Sequence, residues 1–277
     1  MAGERAGKRR RRTAAVLAGI LWASVPAAGS NALGAEIGPG VELERRLQGE
    51  VSGGGSGRAG MDPAKIDQAG IELFREAQRR QRELADATAD IDGGWSLEYG
   101  GLRLYRPIAG TAEFEGLGTE QMRGVVSLAS GGEIVFEDGR VRVSRGGEER
   151  LRELSPEEWS ALSDDFMNGT TYDLDMVTRL WVAGREAERA DGSTVLAYEL
   201  DGEAAAERME SVVADALAGA GISVLEESGW LRLDRVEGEL TVSREGYMQV
   251  DRLEADASIL LGQSQAKAAF EICVSYR

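Results

Sequence analysis

The chain has 277 residues, a formal charge of −16, no histidine and a single cysteine, Cys273. These counts exclude imidazole acid–base catalysis, His-containing triads and zinc sites that need His, and they allow no intrachain disulfide or cysteine cluster. So acidic a chain repels phosphate backbones, and nucleic acid is not an expected partner.

The charge is unevenly placed. Arg5, Lys8 and Arg9 to Arg12 stand against Glu4, and TAAVLAGILWASVPAAG, residues 13–29, then runs without a charge. A basic start, an apolar run and small residues behind it read as a signal peptide or N-terminal anchor over residues 1–29, with cuts after Gly29 or Gly34. The expectation is export to the periplasm, cell envelope or exterior, by the general or the twin-arginine route, with any membrane association through this segment. No cysteine follows the apolar run, so lipid anchoring is not expected. Residues 30–62 contain GAEIGPG and VSGGGSGRAG. Gly and Ser cost entropy to order and bury nothing, which predicts a flexible tether.

The remaining residues, 63–277, read as one domain. Asp62 and Pro63 suit a helix cap and first turn. Ile66, Leu73, Phe74, Ala77, Leu84, Ala87 and Ile91 form a stripe that predicts one helix from 64 to about 90. The period then becomes two: Trp95, Leu97, Tyr99; Leu102, Leu104; Met122, Val126, Leu128; Ile134, Phe136; Val141, Val143. Asp138-Gly139 predicts a tight hairpin turn with both residues at positive φ.

Ser155, Pro156 and Glu158 predict a capping box that opens a helix carrying Trp159, Leu162 and Phe166. Leu174, Val177, Leu180 and Trp181 fit a further helix. STVLAYEL, 193–200, alternates as a strand, and Asp201 caps a helix with the stripe Met209, Val213, Ala216, Leu217. The tail is all strand: Leu231, Leu233; Leu240, Val242; Met248, Val250; Leu253 to Leu261; Ala268 to Tyr276. In GELTVSREGYMQVDRLEADASI, residues 238–259 are read with Leu240, Val242, Met248 and Val250 inward and the charged residues outward. The fold class is α+β, a strongly curved antiparallel sheet with helices on its concave face; without a βαβ repeat, a doubly wound sheet is not expected.

This order of elements resembles the LolA-like fold of periplasmic lipoprotein carriers and their mycobacterial lipoprotein relatives. Within that group the chain is most similar to a secreted bacterial family of unknown function. The resemblance is carried by KIDQAGIELFREAQRRQRELADA leading into WSLEYGGLRLY, and by ELDGEAAAERMESVVADAL with the two closing strand segments. It implies a half-barrel with a hydrophobic cavity between sheet and helices. The chain departs from it in lacking an anchoring cysteine and a counterpart of the carriers' functional arginine, so lipoprotein transport is not carried over.

No catalytic constellation stands out. Asp164-Asp165, Asp173 with Asp175, and Glu157-Glu158 are neighbours in an acid-rich chain, whereas glycosidase chemistry needs two carboxylates across a cleft with opposed pKa shifts. DDFMNGTTYDLD lacks calcium-loop spacing. No phosphate loop, dinucleotide fingerprint or G-x-S-x-G elbow is present. No catalytic, metal or cofactor residue is therefore expected, and the chain is read as a non-enzyme. The aromatics offer more. Phe74, Trp95, Tyr99, Trp159, Phe166, Trp181, Met209, Trp230 and Phe270 are the expected lining of an apolar cavity. The expected function is binding of a lipid or other apolar small molecule at the cell envelope. The alternative is a structural or protein-interaction domain with an acidic surface and no cavity.

Overall fold

The computed structural model of the chain describes residues 66–117, 119–160, 174–183, 192–219, 229–261 and 264–277. The expected signal segment, the tether, the Asp62-Pro63 cap, Asp164-Asp165 and Phe166 lie outside the described residues. One helix, α1 (Gln68–Gln81), is followed by β1 (Ala87–Tyr99), β2 (Leu102–Glu115), β3 (Arg123–Leu128), β4 (Gly132–Glu137), β5 (Arg140–Arg145) and β6 (Glu148–Glu153). Then come β7 (Val177–Val182), β8 (Thr194–Leu200), helix α2 (Gly202–Gly219), β9 (Leu231–Val242), β10 (Met248–Leu261) and β11 (Ser264–Tyr276). All eleven strands form one sheet in the order β6-β5-β4-β3-β2-β1-β11-β10-β9-β8-β7. Every pairing is antiparallel, and β1 with β11 joins the two meanders at the centre.

Local chemistry explains most boundaries. Asp138 and Gly139 have φ of 51° and 73°, the left-handed pair of a tight hairpin turn. Ser155 and Glu158 exchange the two hydrogen bonds of a capping box, at 3.2 and 2.9 Å. The Glu158 carboxyl is held below its ordinary range chiefly by the Ser155 backbone N–H. Asp201 accepts from the Glu203 and Ala204 N–H groups at 2.9 Å and so starts α2.

Two elements differ from the expectation. The first helix ends at Gln81, and Ala87, Ala89 and Ile91 belong to β1, which runs through Gly93-Gly94. Residues four apart share a face in a strand as well as in a helix, so Ala87 and Ile91 extended the helical stripe falsely. The segment read as helix around Leu174 to Trp181 is a single 3₁₀ turn, Leu174–Met176, followed by β7. Val, Thr and Trp there favour a pleated, half-buried surface over a helix.

The core lies between the sheet's inner face and the helices. Phe74 and Ala77 of α1 are buried, Gly70 packs on Leu180 of β7, and the Asp67 N–H donates to the Leu180 carbonyl at 2.9 Å. Leu180, Leu196, Leu240 and Val242 are fully enclosed.

The β9–β10 hairpin carries the third difference. Its register slips between Met248 and Val250, and the bulge turns the next inward position over to Asp251, which is 1% exposed. A one-residue slip reverses every following side chain. Val250 therefore leaves the inward row, and a carboxylate enters it.

Candidate functional site: an apolar slot between helix and sheet

At one end of the inner face the strands present small side chains. Ala255 and Ala257 of β10 pair with Phe270 and Ala268 of β11, and Ala266 pairs with Ile259. Trp95 and Leu97 of β1 lie across from Phe270 and Ala268. Over this floor run Met209, Val213 and Leu217, spaced four apart on one face of α2. The small side chains of Ala255, Ala257 and Ala268 leave more room than the helix fills. The result is a partly enclosed slot of about 60 Å³, completed by Leu231, Leu233 and Ile259. Apart from Ser96, every lining side chain is apolar or aromatic.

One polar atom in this neighbourhood is unsatisfied. Trp95 is 8% exposed, and its indole N–H is buried with no acceptor among the described residues. Leaving a buried donor unpaired costs about 1–3 kcal/mol.

Of the residues expected to line a cavity, the structure brings Trp95, Met209 and Phe270 together in the slot. Phe74, Trp159 and Trp230 are buried in the surrounding core. Trp181 faces away from Leu180 and carries the Arg179 guanidinium 5.1 Å from its ring centre. Tyr99 is 40% exposed, beyond the end of the slot. The sequence reading missed the alanines and, beyond Met209, the rest of the α2 stripe (Val213 and Leu217) as lining. Their signal was available in the small residues that alternate along two adjacent strands, which mark where a core is thinly filled.

A second cluster sits deeper, on the α1 side. The Tyr198 hydroxyl donates to Asp251 at 3.1 Å, and the Tyr276 phenol is pushed above its ordinary pKa by burial and by the Asp251 charge. Gly238 makes this possible. A Cβ there would lie 2.1 Å from Cζ of Tyr198, so only glycine lets the ring cross β9. Among the described residues Asp251 is the one buried carboxylate.

The outer face holds a shallower depression of about 280 Å³ between Arg103 and Tyr105 on one side and Arg235, Arg252 and Glu271 on the other. Its charges are largely paired, Arg252 with Glu271 at 2.5 Å and with Glu254 at 3.3 Å. Cys273 also faces outward, and burial pushes its thiol up, away from the thiolate a nucleophile requires. Among the described residues no cluster of acidic or cysteine side chains could hold a metal ion. No described helix is long and apolar enough to cross a membrane.

No family model and no curated protein matches the chain. Solved structures similar to it include the Mycobacterium tuberculosis lipoprotein LppX, at 13% identity over 76% of this chain and 94% of that one, with a TM-score of 0.41. LprF from Mycobacterium bovis is similar at 9% identity over 76% and 93%, with a TM-score of 0.39. A LolA superfamily protein from Nitrosomonas europaea is similar at 9% identity over 75% and 93%, with a TM-score of 0.25. Likeness at these identities and TM-scores says nothing of function, and the slot is a property of this chain's own sheet.

Proposed function

We propose that the protein is an exported, non-enzymatic binder of an apolar chain, held between α2 and the alanine-rich part of the sheet. The observation that carries this reading is the slot itself, lined by Leu, Val, Ala, Met and aromatic side chains with no charged group. Burying a methylene is worth about 0.8 kcal/mol, so such a lining selects hydrocarbon. The slot is small: its 60 Å³ compares with ~150 Å³ for a cavity that takes benzene. As built it receives the end of a chain, and a longer acyl chain requires α2 to shift outward. The expected ligand is therefore the end of a hydrocarbon chain.

Native mass spectrometry of gently extracted protein tests this. A bound species with the mass of a lipid or fatty acid is the expected result, and repeated spectra without one overturn the reading. Trp95→Phe sharpens it. The smaller ring widens the slot, so folding stability should fall by about 1–2 kcal/mol, while affinity for a bulkier apolar chain end should rise several-fold. The alternative of an interaction domain with a filled core draws on the same small volume. It predicts empty native spectra and salt-sensitive complexes with a protein partner.

A further inference from the structure

The geometry points to a membrane-docking rim at the end of the sheet where the slot lies, suited to the surface of an anionic phospholipid bilayer. Among the described residues large exposed apolar side chains are few, and three of them gather here. Leu102 is 73% exposed, Leu260 48% and Tyr99 40%. Tyr99 and Leu102 are paired across the β1–β2 turn, Gly100-Gly101, whose φ values are 59° and 79°. A Cβ on either glycine would meet nothing within 4 Å, so this turn projects clear of the molecule. Leu260 stands near the tip of β10, paired with Gln265 of β11. Because β11 lies between β1 and β10, the two tips are neighbours at one end.

Directly behind the tips the outer face carries a row that crosses five strands. Arg103 pairs with Glu98, Glu98 with Lys267, Lys267 with Ser258, and Ser258 with Arg232. Asp234 accepts from Arg232 at 2.7 Å. The row and its immediate partner thus hold three basic and two acidic side chains, a local positive excess on a chain of −16. An apolar tip with basic side chains one row behind it matches the layering of a bilayer surface, hydrocarbon first and phosphate next. A protein partner would place no such demand on the order of the two. The slot begins immediately inside the same rim, since Leu97 precedes Tyr99 on one face of β1 and Ile259 adjoins Leu260. Docking here would set the slot against the lipid from which an apolar chain is taken. That consequence rests on the proposed function; the docking itself does not.

The test uses the full chain with Cys273→Ser and a polarity-sensitive fluorophore on Leu102→Cys, a substitution at an exposed site that leaves the core intact. With vesicles of phosphatidylcholine and phosphatidylglycerol the label should shift to the blue and be quenched by lipids spin-labelled near the headgroup. The same label on Glu149→Cys of β6 should stay in water. Reversing Lys267→Glu and Arg232→Glu together should weaken the response roughly tenfold or more. Vesicle binding through residues 13–29 with the 102 label still in water overturns the inference. So does burial of that label by a protein partner and not by vesicles. Equal response on pure phosphatidylcholine overturns the anionic preference. Leu102→Ser separates the two readings: lost docking with a retained ligand in native spectra supports the rim as a distinct surface, whereas retained docking by this variant overturns the role of the tip.

Discussion

On the β3–β5 wing the inner row reads Val126, Leu128, Ile134 and Phe136, each buried, with the Phe114 and Phe136 rings 5.6 Å apart. On the β10–β11 wing the corresponding rows read Leu253, Ala255, Ala257, Ile259 and Ala266, Ala268, Phe270, Ile272, so alanines interrupt the large side chains. Both wings are antiparallel parts of one sheet, but β10 carries register shifts at Met248/Val250 and Asp256/Ala257. Where the two rows alternate alike, they differ chiefly in side-chain volume. Large side chains close the first wing on itself, while alanines leave the second dependent on α2 and give it the slot. Whether one open antiparallel sheet is scaffold or receptor is thus decided residue by residue along its inner rows.

The contrast yields graded expectations. The largest effect should come from Phe136→Ala, which removes a fully enclosed ring from the filled wing; a loss of about 3–5 kcal/mol is expected by denaturant unfolding. Gly238→Ala comes next. Its new methyl would collide with the Tyr198 ring, and overpacking of this kind costs about 1–3 kcal/mol. Displacing Tyr198 would also strip Asp251 of its phenol donor. Ala257→Val, on the open wing, should change stability by less than about 1.5 kcal/mol, since the slot absorbs the added methyls. It should abolish binding of an apolar chain by titration calorimetry. A loss as large as that of Phe136→Ala would mean that the second wing is as tightly filled as the first.

The smallest effect concerns the surface of α1. Hydrogen bonds from Arg79 and then Arg80 lower the Glu76 carboxyl from 4.5 to about 2. A depressed acid stabilises the folded state above its unfolded pKa, and that contribution is lost as pH falls from about 4.5 through about 2. Both partners are solvent-exposed, so the effect is slight. Glu76→Gln should flatten the acid limb of an unfolding curve in that window and leave neutral stability nearly unchanged.

Much of this architecture could be read from the chain before any coordinates. The Asp138-Gly139 turn, the Ser155–Glu158 box, the Asp201 cap and the alternation of the last three strands each rest on local chemistry, which the sequence displays. What failed was ambiguity of period and slip of register. Ala87 and Ile91 satisfy both helix and strand, and nothing local in Met248-Gln249-Val250 announces a bulge. Aromatics were the obvious lining candidates, yet a cavity is made by what is missing. The alanines opposite Trp95 and Phe270 had to be placed across three strands before their small size acquired a meaning.

The sheet also remains unclosed. Among the described residues β6 and β7 are its outer strands, and β6 reads Glu-Glu-Arg-Leu-Arg-Glu with every side chain exposed. An outer strand offers its backbone donors and acceptors to any passing strand, including that of another copy. Five of the six β6 side chains are charged, which keeps that edge solvated and blunts such pairing. A charged outer strand of this kind is a solubility device as much as a structural one.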